Sequence, residues 1–149
     1  MRKNLLIYGT TKEFTPAHLD QARAAALRAY RLVAANWQIV VSDRYGLDAA
    51  VARTCALWGI PLTVCGLNAR PRNGVSLRCY ERVWACPLGI PAENLLNRYL
   101  MALADSVVVI GDTPDCKAMR LWARLAGKGP TLRPLTAAAR MVQLPLVWA

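Results

Sequence analysis

Three short stretches of the chain carry the residue types that hold phosphate. Gly9-Thr10-Thr11-Lys12 joins a permissive backbone to two hydroxyls and a cation. Ser42-Asp43-Arg44-Tyr45-Gly46-Leu47-Asp48 combines a hydroxyl, two carboxylates and a glycine, and Gly111-Asp112-Thr113-Pro114-Asp115 repeats the theme. Backbone N–H groups at a tight turn, aided by the positive end of a following helix, attract anions. A ligand bearing phosphate is the natural occupant of such turns. Asp43, Asp48, Asp112 and Asp115 are the carboxylates that could do acid/base work at a glycosidic bond. No Ser/His/Asp or Cys/His set accompanies them, because the one histidine, His18, lies in the first turn of a helix, where an exposed or capping position is expected.

Each stretch follows an apolar run, which supplies the element that would hold it in place. Leu5-Leu-Ile-Tyr8, Ile39-Val-Val41, Ile60-Pro-Leu-Thr-Val-Cys65 and Ser106-Val-Val-Val-Ile110 are short and rich in β-branched residues, the pattern of strands buried on both faces. Helices are predicted between them. Thr15-Pro16 has the form of an N-cap with proline at the first helical position, and the helix it opens runs to about Ala35, with Leu19, Ala26, Tyr30 and Val33 on its apolar side. Leu47, Ala50, Val51, Cys55 and Trp58 recur at helical spacing after the central turn. Pro91-Ala-Glu-Asn opens a third helix over about 92 to 104, with Leu96, Tyr99, Leu100 and Leu103 on its buried side; Asn97 and Arg98 break that pattern and are placed to point toward the ligand edge. A fourth helix over about 115 to 125 sets Ala118, Leu121, Trp122 and Leu125 on one side and Lys117, Arg120 and Arg124 on the other. Between the third and fourth strands, the segment from Leu67 to Arg82 holds four arginines, an Asn-Gly turn and Tyr80, and reads as a long basic loop. In the tail, a short helix is expected over about 136 to 141, and Leu144 to Trp148 either adds a final strand or packs a subunit interface in a homo-oligomer.

Alternating strands and helices imply an α/β fold of Rossmann-like type, a mostly parallel sheet with helices on both faces. In such sheets the three turns share one rim at the carboxyl ends of the strands. A chain of 149 residues is enough for one ligand-binding domain over 1–149 with a substantial core. No run reaches the roughly 18 uninterrupted apolar residues that span a bilayer, and Leu5 to Tyr8 is too short for a secretory leader, so a cytoplasmic protein with no membrane partner is expected. The five cysteines, Cys55, Cys65, Cys79, Cys86 and Cys116, form no C-x-x-C pair, so reduced core thiols and no metal are expected. A net charge of +10 is compatible with phosphate or nucleic-acid partners without choosing between them. No cofactor is named by the residues.

Two segments resemble a known family. Val40-Val-Ser-Asp-Arg-Tyr-Gly-Leu-Asp-Ala-Ala50 is similar to the "(S/G)-G/D-x-x-G-(V/A)-D-x-A" turn of the SLOG superfamily, the Rossmann-like domains that include DNA-processing protein A and the lonely-guy hydrolases. Asn97-Arg-Tyr-Leu-Met-Ala-Leu-Ala-Asp-Ser-Val-Val-Val-Ile110 is similar to its "R-(D/N)-R…(L)-A-D-x-V-(V/I)-(A/V)" segment, and with Gly9-Thr10-Thr11 the resemblance covers roughly residues 4 to 130. It implies that Gly9, Thr10 and Thr11 approach a phosphate and that Ser42, Asp43 and Gly46 line the turn. It also implies that Asp48 meets a ribose hydroxyl or braces the turn, and that Arg98 stands by as counter-charge. The chain departs from the pattern in three places. Thr113-Pro-Asp-Cys116 stands where "S-x-G-T" is usual, setting Asp115 where phosphate is normally received; Leu96 replaces the first arginine of "R-x-R"; and nothing matches the "P-G-G-x-G-T-x-x-E" segment of the hydrolase branch.

Three functions follow as expectations. The first is binding of a nucleotide or nucleotide-derived ligand at Gly9 to Lys12, Ser42, Asp43, Gly46, Asp48, Arg98 and Gly111 to Thr113. The second is N-glycoside hydrolysis or transfer on nucleotides, with Asp43, Asp48 or Asp112 as the carboxylate. The third is single-stranded DNA binding through the basic segment Arg70 to Arg82, with Tyr80 and Trp84 to stack on bases.

Overall fold

A computed structural model describes residues 2–9, 15–32, 36–74, 77–83 and 92–129. Five strands, β1 (Lys3–Gly9), β2 (Trp37–Ser42), β3 (Leu62–Gly66), β4 (Tyr80–Arg82) and β5 (Ser106–Ile110), alternate with four helices, α1 (Pro16–Leu32), α2 (Leu47–Trp58), α3 (Ala92–Leu103) and α4 (Pro114–Leu125). The sheet order is β4-β3-β2-β1-β5, and every pairing is parallel. This is the α/β, Rossmann-like architecture.

Because side chains alternate across a strand, each central strand feeds two cores. Leu5 and Ile7 of β1, with Ile39 and Val41 of β2, face α1 and α2, which contribute Ala22, Ala25, Ala26, Leu47, Val51 and Cys55. Leu6, Tyr8, Val40 and Val107 face α3 and α4, which contribute Leu96, Leu100, Met101, Cys116, Met119 and Ala123. The chain therefore leaves β1 toward one layer of helices and β5 toward the other. Adjacent strands whose connections part in this way open a crevice at their carboxyl ends.

Local chemistry sets the helix ends. The Thr15 hydroxyl accepts from the His18 N–H (3.2 Å) while the Thr15 N–H donates to His18 Nδ1 (3.1 Å), a reciprocal cap that places His18 in the capping role. α2 stops at Gly59, whose left-handed backbone lets its N–H reach the Cys55 carbonyl. Thr113 caps α4 by accepting from the Cys116 N–H, with Pro114 at the first helical position.

Two expectations are corrected. α4 buries Cys116, Met119 and Ala123, and the larger residues Leu121, Trp122 and Leu125 are exposed. The helix carries two apolar stripes; the cap at Thr113 fixes the start of α4, and the stripe that packs on the sheet is the one with small residues at its ends. Trp58 of α2 is likewise exposed. The segment from Leu67 to Arg82, expected as a loop, contains a 3-10 turn over Leu77–Cys79 and the edge strand β4, three residues that pair with β3 from Val64↔Tyr80 to Gly66↔Arg82. Three residues are too few for a periodic signal. Cys55, Cys65, Cys79 and Cys116 are free thiols, and burial pushes Cys55 and Cys65 up to about 12. Among the described residues no helix is long and apolar enough to cross a membrane, and no group of His, Cys, Asp and Glu could hold a metal ion. Cys86, Trp84, and the tail elements expected over 136–141 and 144–148 lie outside the described residues.

Candidate ligand site

The turn between β2 and α2 is held from within. Gly46 has φ 86° and ψ −131°, a backbone that side chains other than glycine rarely adopt. It sets Leu47 and Asp48 against the end of β1, where a Cβ on Gly9 would come within 2.5 Å of the Leu47 Cβ. Asp48 Oδ1 accepts the Gly9 N–H at 3.0 Å, Oδ2 accepts the Ser42 hydroxyl, and Ser42 Oγ accepts the Arg44 N–H at 3.2 Å. One carboxylate thus ties the ends of two parallel strands to the start of a helix. Burial pushes the Asp48 carboxyl up to about 6, opposed by its hydrogen bonds from Ser42 and Gly9 and by the Arg44 charge.

This brace projects Arg44 across the ends of the strands. Its guanidinium lies 5.4 Å from the centre of the Tyr8 ring, its Nε donates to Glu93 Oε2 and its Nη2 to Asn97 Oδ1, both at 2.7 Å. The side chain is 10 % exposed, and Nη1 is buried with no hydrogen-bond partner among the described residues. Arg72 is the second cation. Its backbone N–H and its guanidinium Nε and Nη2 donate to Asp43 at 2.8–3.0 Å, and its Nη1 donates to Glu93 at 2.5 Å. Glu93, about half exposed, therefore bridges two arginines. Burial alone would raise the Glu93 carboxyl, but the hydrogen bonds and charges of Arg72 and Arg44 outweigh it and hold the group below its ordinary value. Burial raises the Tyr8 phenol, against the pull of Arg44.

Above these residues lies a crevice of about 760 Å³, lined by Tyr8, Gly9, Arg44, Tyr45, Arg72, Glu93, Asn94, Asn97, Thr113, Pro114 and Asp115. Of the residues expected at the ligand, Gly9 and Thr113 line it. Ser42, Asp43 and Asp48 are fully buried beneath it, and Gly46 shapes the turn without lining the crevice. The Gly9 N–H is committed to Asp48 and is not free for an anion. Arg98 is exposed and lines a neighbouring groove. Gly111 is buried with φ 113°, its carbonyl accepting from Arg120, and Asp112 lies 3.8 Å from the same arginine. Thr10, Thr11 and Lys12 lie outside the described residues.

Tyr8, Arg44, Tyr45, Arg72, Glu93 and Asn94 are not singled out by type and spacing. For Arg44 a signal exists, because it sits inside the motif between two residues that fold inward. Asn97 is the polar residue whose break in the α3 pattern points to the ligand edge, and it does line the crevice.

No family model matches the chain, and no curated protein matches it. Solved structures share its fold. The molybdenum cofactor carrier protein MCP from Chlamydomonas reinhardtii superposes with a TM-score of 0.60 at 13% identity, covering 85% of this chain and 74% of that one. The structural-genomics target TM1055 gives 0.59 at 20% identity, covering 95% and 80%. A second structure of the Chlamydomonas reinhardtii Moco carrier protein gives 0.57 at 16% identity, covering 96% and 83%. At these identities the likeness establishes a shared Rossmann-like fold.

Proposed function

We propose that the chain is a SLOG-type domain that binds a nucleotide or nucleotide-derived ligand in the crevice at the carboxyl ends of β1, β2 and β5, with the ligand's phosphate paired to Arg44. The observation that carries this reading is Arg44 itself, a cation nine-tenths buried in the wall of the crevice with a donor nitrogen that no described group satisfies. Buried donors are nearly always paired, so an unpaired one beside a cleft calls for an acceptor. A planar guanidinium held by Glu93 and Asn97 is already oriented, so little side-chain entropy is lost when phosphate arrives. A fold neighbour described as a molybdenum cofactor carrier fits a crevice that holds a small molecule.

Asp43 and Asp48, offered by the sequence as hydrolytic carboxylates, are buried and committed to Arg72 and to the turn. The carboxylates that line the crevice are Glu93 and Asp115. Binding is therefore the primary reading.

The test is calorimetric titration with AMP, ADP-ribose and ribose 5-phosphate, on the native chain and on Arg44→Ala and Arg44→Lys. Saturable binding is expected, weakened by about tenfold or more in Arg44→Ala and partly kept in Arg44→Lys, since lysine retains the charge without the fork. Binding that Arg44→Ala leaves unchanged, or no binding of any phosphate ligand, sinks the assignment.

A further inference from the structure

A second space, about 260 Å³, opens between α3 and α4 and is lined by Asn94, Asn97, Arg98, Asp115, Ala118, Met119 and Trp122. Asn94, Asn97 and Asp115 also line the main crevice, so the two spaces meet at these three side chains. Their chemistry differs. Arg44 and Arg72 belong to the crevice alone, whereas the groove sets the exposed Arg98 beside the apolar wall of Trp122 and Met119. Trp122 is 38 % exposed, so much of its indole surface is uncovered by the protein. The side chains of Asn94 and Asp115 make no hydrogen bond or ion pair to another described residue, and Asp115 is near enough to Tyr8 to act on its phenol by charge.

We propose that this groove is a ring subsite selective for a guanine-type edge, in which Asp115 accepts two adjacent N–H groups and Trp122 forms the aromatic wall. The proposal rests on the reading of the crevice as a phosphate site and deepens it by naming the base. Asp115 sits in the first turn of α4, where an anion would otherwise be welcome, and its charge turns phosphate away from that helix toward Arg44. The ligand is thereby given a direction, with its anionic end at Arg44 and an end rich in donors at Asp115. Guanine presents N1–H and its 2-amino group side by side, matching the two oxygens of a carboxylate. Hypoxanthine lacks the amino group. Adenine sets an acceptor nitrogen beside its amino group, and that lone pair faces the carboxylate unfavourably. Asn94 and Asn97, at the junction, carry donors and acceptors suited to the sugar or to the remaining ring atoms.

The experiment measures dissociation constants for GMP, IMP, AMP and ribose 5-phosphate on the native chain, Asp115→Asn, Trp122→Ala and Arg44→Ala. GMP is expected to bind about tenfold tighter than IMP or AMP, the effect of one charge-assisted hydrogen bond. Asp115→Asn should bring GMP to the level of IMP and leave ribose 5-phosphate unchanged. Trp122→Ala should weaken all three nucleotides and spare ribose 5-phosphate. Equal affinities for GMP and AMP, or an equal loss of GMP and ribose 5-phosphate in Asp115→Asn, overturn the ring subsite. If ribose 5-phosphate binds in an Arg44-dependent way without any base preference, the subsite fails and the phosphate site stands. If none of the four ligands binds, both fail.

Discussion

Replacing Asp48 with asparagine isolates the energy of the charge at the centre of the fold. Burial raises the Asp48 carboxyl from 3.8 to about 6. A carboxyl raised on folding binds its proton more tightly in the native state than in the unfolded chain. Its contribution to stability is then fully present below the unfolded value and is lost as pH rises through the folded one. From below pH 4 to above pH 6 the native chain should thus lose on the order of 3 kcal/mol from this group, about two thirds of it between pH 4 and 6, since each tenfold change in proton affinity corresponds to about 1.4 kcal/mol. Asparagine is nearly isosteric. Its Oδ1 can still accept the Gly9 N–H, and its amide can donate to Ser42 Oγ, the atom that now donates to Asp48 and accepts from Arg44. Asp48→Asn should therefore be less stable than or equal to the native chain near pH 4 and gain on it steadily toward pH 7. Urea unfolding of both proteins at closely spaced pH values gives the difference directly. A difference that stays flat from pH 4 to 7 would falsify the reasoning. So would one of opposite slope, because the ionised carboxylate would then be stabilised by Arg44 more than burial opposes it.

Arg72→Ala leaves the fully buried Asp43 without its cation and should cost about 3 kcal/mol or more in urea unfolding, with partial recovery in the double variant Asp43→Asn/Arg72→Ala. Glu93→Gln removes the carboxylate that now occupies both arginines, and should tighten ribose 5-phosphate binding by roughly threefold to tenfold, read by calorimetry. Gly9→Ala places a Cβ 2.5 Å from the Cβ of Leu47, which the packed turn cannot yield; a loss of about 2 kcal/mol is expected, and unchanged thermal stability would show that the turn moves freely.

The architecture is legible because strands covered on both faces read as unbroken apolar runs, as Leu5 to Tyr8 and Val107 to Ile110 do. The short edge strand β4 is not, since three residues beside a sheet edge owe their conformation to backbone pairing with β3 rather than to any pattern of their own. The buried face of α4 misleads for a related reason. Leu121, Trp122 and Leu125 form the stronger apolar stripe, yet Cys116, Met119 and Ala123 are the ones that reach the sheet. In the central turn, the residues with the sharpest sequence signal prove to be its internal ties. Ser42, Asp43 and Asp48 are short enough to fold back onto the backbone, and their partners, Gly9 and Arg72, are far away in sequence. Arg44 and Tyr45, between them, face the crevice.

The same geometry changes what the net charge of +10 means for binding. A site whose affinity came from surplus positive charge would bind any polyanion and weaken steeply with salt. The crevice is not such a site, because Arg44 and Arg72 are matched by Glu93 and Asp43, and Asp115 adds a further negative charge at the far side. An anion meets Arg44 at the nitrogen that Glu93 and Asn97 leave unpaired, while Asp43 stays buried and keeps Arg72 in position. Selection then depends on fitting the fork of Arg44 and satisfying Asp115 at once, which inorganic phosphate cannot do. Affinity for the intended ligand should consequently fall only gently with added salt, and the chain's excess charge, lying elsewhere, should have little part in it.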